Sequence, residues 1–335
     1  MILTLRTVAL VSALGLVAAA CGDDTDDPAA GSPASDGPVL VASTSIWADI
    51  TSNVACGADV AALIPAGADP HSYEASLRDR ELLADATVVV ANGAGLEASV
   101  EDVLDAAIAD GVNVVEVATH IDLLEGGEHT DDEHTDDEHG DDEHGDDEHG
   151  DDEHSGEEDE HEHGHDHGDG DPHVWQDPTR VAGALDVIAS ALAAEGIDTC
   201  EEAYHDELLA LDAEITEALS PVPDGERLLV TSHESLAYFA DRYDFEIVGT
   251  VVTSTSTMGD TSAGELAELT ELIEERSVRA IFTDAFESAS DAEALAERIG
   301  IPVVPLVTDA LTDDAPTYAA LMRSNAATVA TALTP

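Results

Sequence analysis

Short apolar β-rich runs alternate with amphipathic stretches of helical spacing along most of this chain. In the first half Val39–Ser43 (VLVAS), Val60–Ile64, Thr87–Ala91 (TVVVA) and Val112–Val117 (VNVVEV) read as strands. Ile46–Ala55, Arg78–Ala84 and Leu96–Ala109 fall between them with helical patterns. Pro65 with Gly67 stops the second strand, Asn92-Gly93 stops the third, and Gly111 stands where a helix C-cap belongs. The second half repeats the plan. Its strands are Arg227–Thr231, Glu246–Val252, Ala280–Thr283 and Pro302–Val307; its helices are Leu236–Tyr243, Ala263–Arg276, Asp291–Ile299 and Tyr318–Leu333. Two further helices lie between the halves. Pro178 begins the first, with Asp177 as N-cap, and Gly196 interrupts. The second runs from about Glu201 to Leu219, with Leu208, Leu211, Ile215 and Leu219 on one face. The predicted fold is α/β: two lobes, each a mostly parallel sheet flanked by helices, joined by a long rigid helix.

Two segments break this rhythm. Residues 2–20 are apolar, with Arg6 near the start, and Cys21 follows Ala18-Ala19-Ala20 directly. A charged start, an apolar middle and small residues at the cut describe a secretory signal over 1–20. The cysteine at that place resembles a bacterial lipoprotein signal, which implies that Cys21 is lipidated and holds the chain on the outer face of the cytoplasmic membrane. An ordinary signal cleaved nearby is the alternative. Residues 21–37, rich in Asp, Pro, Gly and Ser, read as a tether.

The other segment, 126–170, is built on a five-residue DDEHG/T repeat. It carries His129, His134, His139, His144, His149, His154, His161, His163, His165 and His167, with no Lys or Arg among them. Nothing apolar is present to bury, so the segment is expected to be disordered. Imidazole is the commonest metal ligand, and flexible His and Asp/Glu side chains suggest many weak, exchangeable secondary metal sites. A solvated acidic linker is the blander alternative.

Charge and cysteine content narrow the compartment and the partners. The chain has no Lys and a formal net charge of −65. Its ten Arg are outnumbered by 75 Asp and Glu and cannot neutralise a run of phosphates, so nucleic acid is excluded as a partner. Such self-repulsion is screened by salt, which predicts a salt-adapted protein whose melting temperature rises between low and molar salt. With Cys21 lipidated, Cys56 and Cys200 form an even pair in an oxidising compartment. A disulfide between them, two unpaired thiols and a soft-metal site all remain open.

Five histidines lie outside the repeat: His71, His120, His173, His205 and His233. His71, His173 and His233 sit in turn-rich loops, the last directly after a predicted strand. Loops at the carboxyl ends of parallel strands are where ligands collect in open α/β sheets. Three imidazoles with one carboxylate make a tetrahedral shell suited to Zn²⁺. His120 and His205 read as structural or exposed.

Four segments carry a resemblance. ADPHSYE (68–74), DPHVWQDP (171–178), SHESLAYF (232–239) and VVPLVTDAL (303–311) are similar to the ligand loops of the metal-binding (zinc/manganese) substrate-binding proteins of ABC transporters. Gln176 and Ala75 depart from the usual Leu and Pro, away from any proposed ligand. The resemblance runs from about Val39 to the C-terminus and implies a metal-receptor type of periplasmic-binding-protein-like fold. It implies that His71 and His173 from one lobe and His233 and Asp309 from the other hold a metal ion in the cleft. Glu74, Asp69 and Asp177 are candidate partners of those ligands, and Glu234 an alternative ligand. Asp284 and Glu287 line the cleft or the surface, and Trp47 and Trp175 are packing residues.

The implied organisation is an N-terminal lobe of 38–125 and 171–198, a linking helix at 199–220 and a C-terminal lobe of 221–335. The implied function is that of a monomeric, lipid-anchored extracytoplasmic receptor, not an enzyme, delivering Zn²⁺ to an ABC permease. His233 stands where the manganese branch commonly has glutamate, and zinc-type members carry a His/acid loop, so zinc is favoured over Mn²⁺. The alternatives are a manganese receptor of the same family, and a surface zinc-storage or adhesion protein dominated by the repeat. A zinc hydrolase would need an open metal position and a general base; four protein ligands and the lack of HExxH argue against it.

Overall fold

The computed structural model of the protein describes residues 37–125, 170–259, 261–286 and 288–335. The expected leader, Cys21, all of the tether but Gly37, the ten repeat histidines and Glu287 lie outside the described residues. No helix of the described residues is long and apolar enough to cross a membrane.

Two four-stranded sheets organise the chain. The first comprises β1 (Leu40–Thr44), β2 (Val60–Ile64), β3 (Val88–Ala91) and β4 (Asn113–Glu116) in the order β2-β1-β3-β4. The second comprises β5 (Leu228–Thr231), β6 (Glu246–Thr250), β7 (Ile281–Asp284) and β8 (Val303–Leu306) in the order β6-β5-β7-β8. Every neighbouring pair is parallel. In each sheet the chain leaves the first strand to one side, then crosses to the other. Both sheets therefore have a switch point beside their first strand, where a crevice opens at the carboxyl ends.

The residue pattern explains the layers. The central strands β1 and β3 are buried throughout, as strands covered on both faces must be, and so consist of Val, Leu, Ala and small polar residues. Val41 and Val89 face the core formed with α2 (Leu77–Ala84) and α3 (Glu101–Ala109). Leu40, Ala42, Val88 and Val90 face the opposite way. There they join the side chains of α1 (Ser45–Val54), α4 (Pro178–Ala194) and the linking helix α5 (Glu201–Leu219). That second core is continuous across both lobes. Leu229 and Phe282 of the second sheet belong to it, as do Tyr238 and Phe239 of α6 (Ala237–Arg242) and Tyr318 and Leu321 of α9 (Tyr318–Leu333). The outer face of the second sheet packs on α7 (Ala263–Arg276) and α8 (Ser290–Ile299).

One predicted helix is shorter than its periodicity suggests. Leu96–Ala109 begins as a 3₁₀ turn at Ala98–Val100 and becomes helical only at Glu101. The cause is Glu97. Its buried carboxylate turns inward to accept the backbone N–H groups of Asn92 (2.6 Å) and Gly93 (3.0 Å). Gly93, at φ +79°, supplies the left-handed turn this requires.

Covalent and polar ties join the parts. A disulfide of 2.06 Å links Cys56, just past α1, to Cys200, the N-cap of α5. Trp175 Nε1 donates to Thr308 O (2.8 Å), and Leu311 N donates to Ser45 Oγ (2.9 Å). Tyr318 N donates to Asp49 Oδ2 (2.9 Å). The two roots of the acidic insert are hydrogen-bonded neighbours: Glu125 bridges Gly170, and Asp171 N donates to Leu124 O (2.9 Å).

Candidate metal centre

Two of the histidines are set by the same three-residue device. In Asp69-Pro70-His71 and in Asp171-Pro172-His173 the aspartate Oδ1 accepts the backbone N–H of the histidine two residues on, at 2.9 Å in both. Proline between them has no N–H to satisfy and fixes φ, so each loop turns sharply at its histidine. The first follows β2, and the second precedes the 3₁₀ turn Val174–Gln176 that leads into α4. His233 lies two residues beyond β5, its carbonyl accepting from Thr231 Oγ1 (2.7 Å). Asp309 follows β8. Asn325 holds Val307 there through both side-chain amide atoms, and Asp284 Oδ2 accepts from Thr308 N (2.9 Å) and from its hydroxyl.

These four side chains converge. His71, His173, His233 and Asp309 each offer a ligand atom, and the four atoms lie within 4.8 Å of one another. The Nε2 atoms of His71 and His173 are 3.4 Å apart. His233 Nε2 lies 3.5 Å from Asp309 Oδ2, and His173 Nε2 lies 3.9 Å from Asp309 Oδ1. A tetrahedral Zn²⁺ with ligands at ~2.0–2.1 Å requires donor atoms ~3.3 Å apart; the 3.4 and 3.5 Å pairs are close to this, and the wider ones would have to draw in. His173 and His233 are 0 % exposed and Asp309 3 %; His71, at 9 %, forms the edge of the site. Burial, together with the neighbouring rings of His173 and His233, pushes the His71 pKa down to about 2. The imidazole is therefore neutral at physiological pH, which is the metal-binding form.

A carboxylate also orders one ring. Asp171 Oδ1 lies 2.7 Å from His173 Nδ1, so that nitrogen carries the proton and Nε2 is left facing the cluster. Asp69 differs, despite its identical position in the motif. Its second oxygen accepts from Ser72 Oγ (2.7 Å) and from Thr257 Oγ1 across the cleft (2.8 Å), and its link to His71 is through the backbone.

The other candidates fall away from the centre. Asp177 caps α4, accepting from Thr179 N at 2.7 Å. Glu74 is exposed. Asp284 is buried as the brace of the Asp309 loop. Trp47 and Trp175 are fully enclosed, with Trp47 Nε1 donating to Asn92 Oδ1 (2.8 Å). His120 and His205 lie outside the cluster. Asp171 and Thr257 were not singled out as partners from sequence. The D-P-H spacing pointed equally to Asp171 and Asp69, while nothing local marks Thr257.

A profile described as zinc-uptake complex component A, periplasmic, matches residues 40–332. The chain belongs to this zinc-uptake component A family. Its members are solute-binding receptors of ABC import systems for zinc or manganese, and not enzymes. The manganese-binding lipoprotein MntA of Halalkalibacterium halodurans is 26% identical over 336 residues, covering 97% of each chain. The zinc-binding lipoprotein AdcA of Streptococcus pneumoniae is 28% identical over 250 residues, 73% of this chain and 44% of that protein. The solved periplasmic zinc-binding protein TroA of Treponema pallidum shares the fold at a TM-score of 0.68 and 24% identity, over 89% of this chain and 99% of that one.

Proposed function

We propose that this family member captures Zn²⁺ between His71, His173, His233 and Asp309 and passes it to the membrane permease of an ABC importer. The convergence of three imidazoles and one carboxylate, at spacings near those of a tetrahedral shell, carries the reading. A nitrogen-rich donor set favours zinc over the harder, oxygen-preferring Mn²⁺. Manganese remains the alternative because the relative MntA is named for it. Lipidation at Cys21 and the tether to residue 37 place the receptor outside the cytoplasm as a monomer on the membrane surface; relatives named as lipoproteins support this. The lobes are then 38–125 with 171–198, and 221–335, about the linking segment 199–220. The histidines of the acidic insert act as weak collectors that raise the local zinc concentration beside the cleft.

Calorimetric titration of Zn²⁺ and Mn²⁺ into a chain lacking residues 126–169 tests this. Glu125 and Gly170 are bridge partners, so a short splice can replace the insert. One tight zinc site, with weaker manganese binding, supports the proposal. A trimmed chain that binds no zinc tightly, with the metal remaining on the excised repeat, would instead identify a storage protein.

A further inference from the structure

The four ligands are not held alike. The Asp309 loop is fastened to the opposite lobe on both sides, through Trp175 on Thr308 and through Ser45 on Leu311. Gly67 N also donates to Leu311 O (3.0 Å). The His233 segment also meets the opposite lobe, Tyr238 OH donating to Asp171 O (2.7 Å), and it is flanked by the loop that follows β6. Val252 N donates to Ser232 O (2.8 Å) and Glu234 N to Ser254 O (2.9 Å), so the loop and the His233 segment are tied together. The loop closes on itself tightly, since a Cβ at Gly259 would meet Val252 Cγ1 at 2.6 Å. It reaches the other lobe by Thr257, whose hydroxyl donates to Asp69 Oδ2 (2.8 Å). The other oxygen of that same carboxylate fixes the backbone of His71, the ligand at the edge of the site. Asp69 thus joins the edge ligand of one lobe to the loop flanking His233 of the other.

We propose that the Thr257–Asp69 hydrogen bond is a clasp that retains bound metal in the cleft. The clasp rests on the cleft being the metal site. Thr257 is a positioning residue, acting on His71 through Asp69. A cavity of about 310 Å³ lined by Asp69, Ser232, Thr257 and Phe286 adjoins the bond. Hydrogen bonds to a charged group in a half-buried place contribute enough that losing this one should speed metal escape about tenfold. Association should hardly change, because the donor atoms stay where they are.

The test is metal release from the full chain loaded with one equivalent of Zn²⁺ and chased with excess chelator. Thr257→Val should raise the rate of the slow phase about tenfold, and Thr257→Ser, which restores the hydroxyl, should return it to within about twofold of the parent. The visible spectrum of the Co²⁺-loaded variant and the melting temperature of the metal-free variant should match the parent. A Thr257→Val chain that releases zinc at the parental rate overturns the clasp while leaving the cleft site standing. So does an altered Co²⁺ spectrum, which would mean damage to the ligands themselves. A parent chain with no slow phase removes the cleft site and the clasp together.

Discussion

Replacing Asp171 by Asn should weaken zinc binding without dismantling the fold. The Asp171 carboxylate is buried, at 2% side-chain exposure, and its Oδ1 accepts both His173 N (2.9 Å) and His173 Nδ1 (2.7 Å). An asparagine oxygen can still take the backbone N–H, so the turn at Pro172 survives. It carries no charge, so the proton on Nδ1 is held less firmly and Nε2 becomes a poorer donor. An amide turned the other way would present N–H to Nδ1 and favour the wrong tautomer. Loss of such a supporting carboxylate costs about 10–100-fold in metal affinity, which is about 1.4–2.7 kcal/mol. Competition against a chromophoric zinc chelator at neutral pH reads this directly. Asp177→Asn is the control, because asparagine caps a helix as well as aspartate and Asp177 lies outside the cluster. Equal affinity in Asp171→Asn and the parent, within about twofold, would refute the view that this carboxylate sets the His173 ring.

Other perturbations probe the frame and the protons. The Cys56–Cys200 bond spans 144 residues of sequence. Replacing both cysteines by Ser should cost on the order of 2–5 kcal/mol in urea unfolding while leaving zinc affinity near the parental value; a loss below ~1 kcal/mol contradicts this. His71 is held near pKa 2 in the fold against 6.5 in a free chain. Between those values the unfolded chain binds the extra proton, so the stability of the metal-free protein rises with pH through this range. Its melting temperature should fall on acidification from pH 7 to 5, and His71→Gln should flatten that slope. Parallel slopes in the two proteins would show that His71 titrates normally.

Much of this fold was legible because both sheets are parallel and covered. Strands such as TVVVA at 87–91 admit no polar face, and turn residues bound each one. The three histidine loops stood out because ligand geometry demands turns, and turns demand Asp, Pro and Gly. What stayed hidden was spatial. Asp69 and Asp171 occupy the same place in the same D-P-H motif. One reaches an imidazole and the other reaches across the cleft to Thr257, a choice made by the surrounding lobe. Helical periodicity over Leu96–Ala109 concealed Glu97, whose preference for two backbone N–H groups broke the first turn. Two cysteines far apart in sequence gave a count but no distance, and the packing of α1 against α5 supplied it.

X-ray absorption at the zinc edge, on the chain lacking 126–169 and loaded with one equivalent, tests the centre most directly. The predicted spectrum shows four nitrogen and oxygen ligands at about 2.0–2.1 Å with the multiple scattering of three imidazoles. A six-coordinate, water-rich shell, or one with fewer than three imidazoles, would contradict capture by His71, His173, His233 and Asp309.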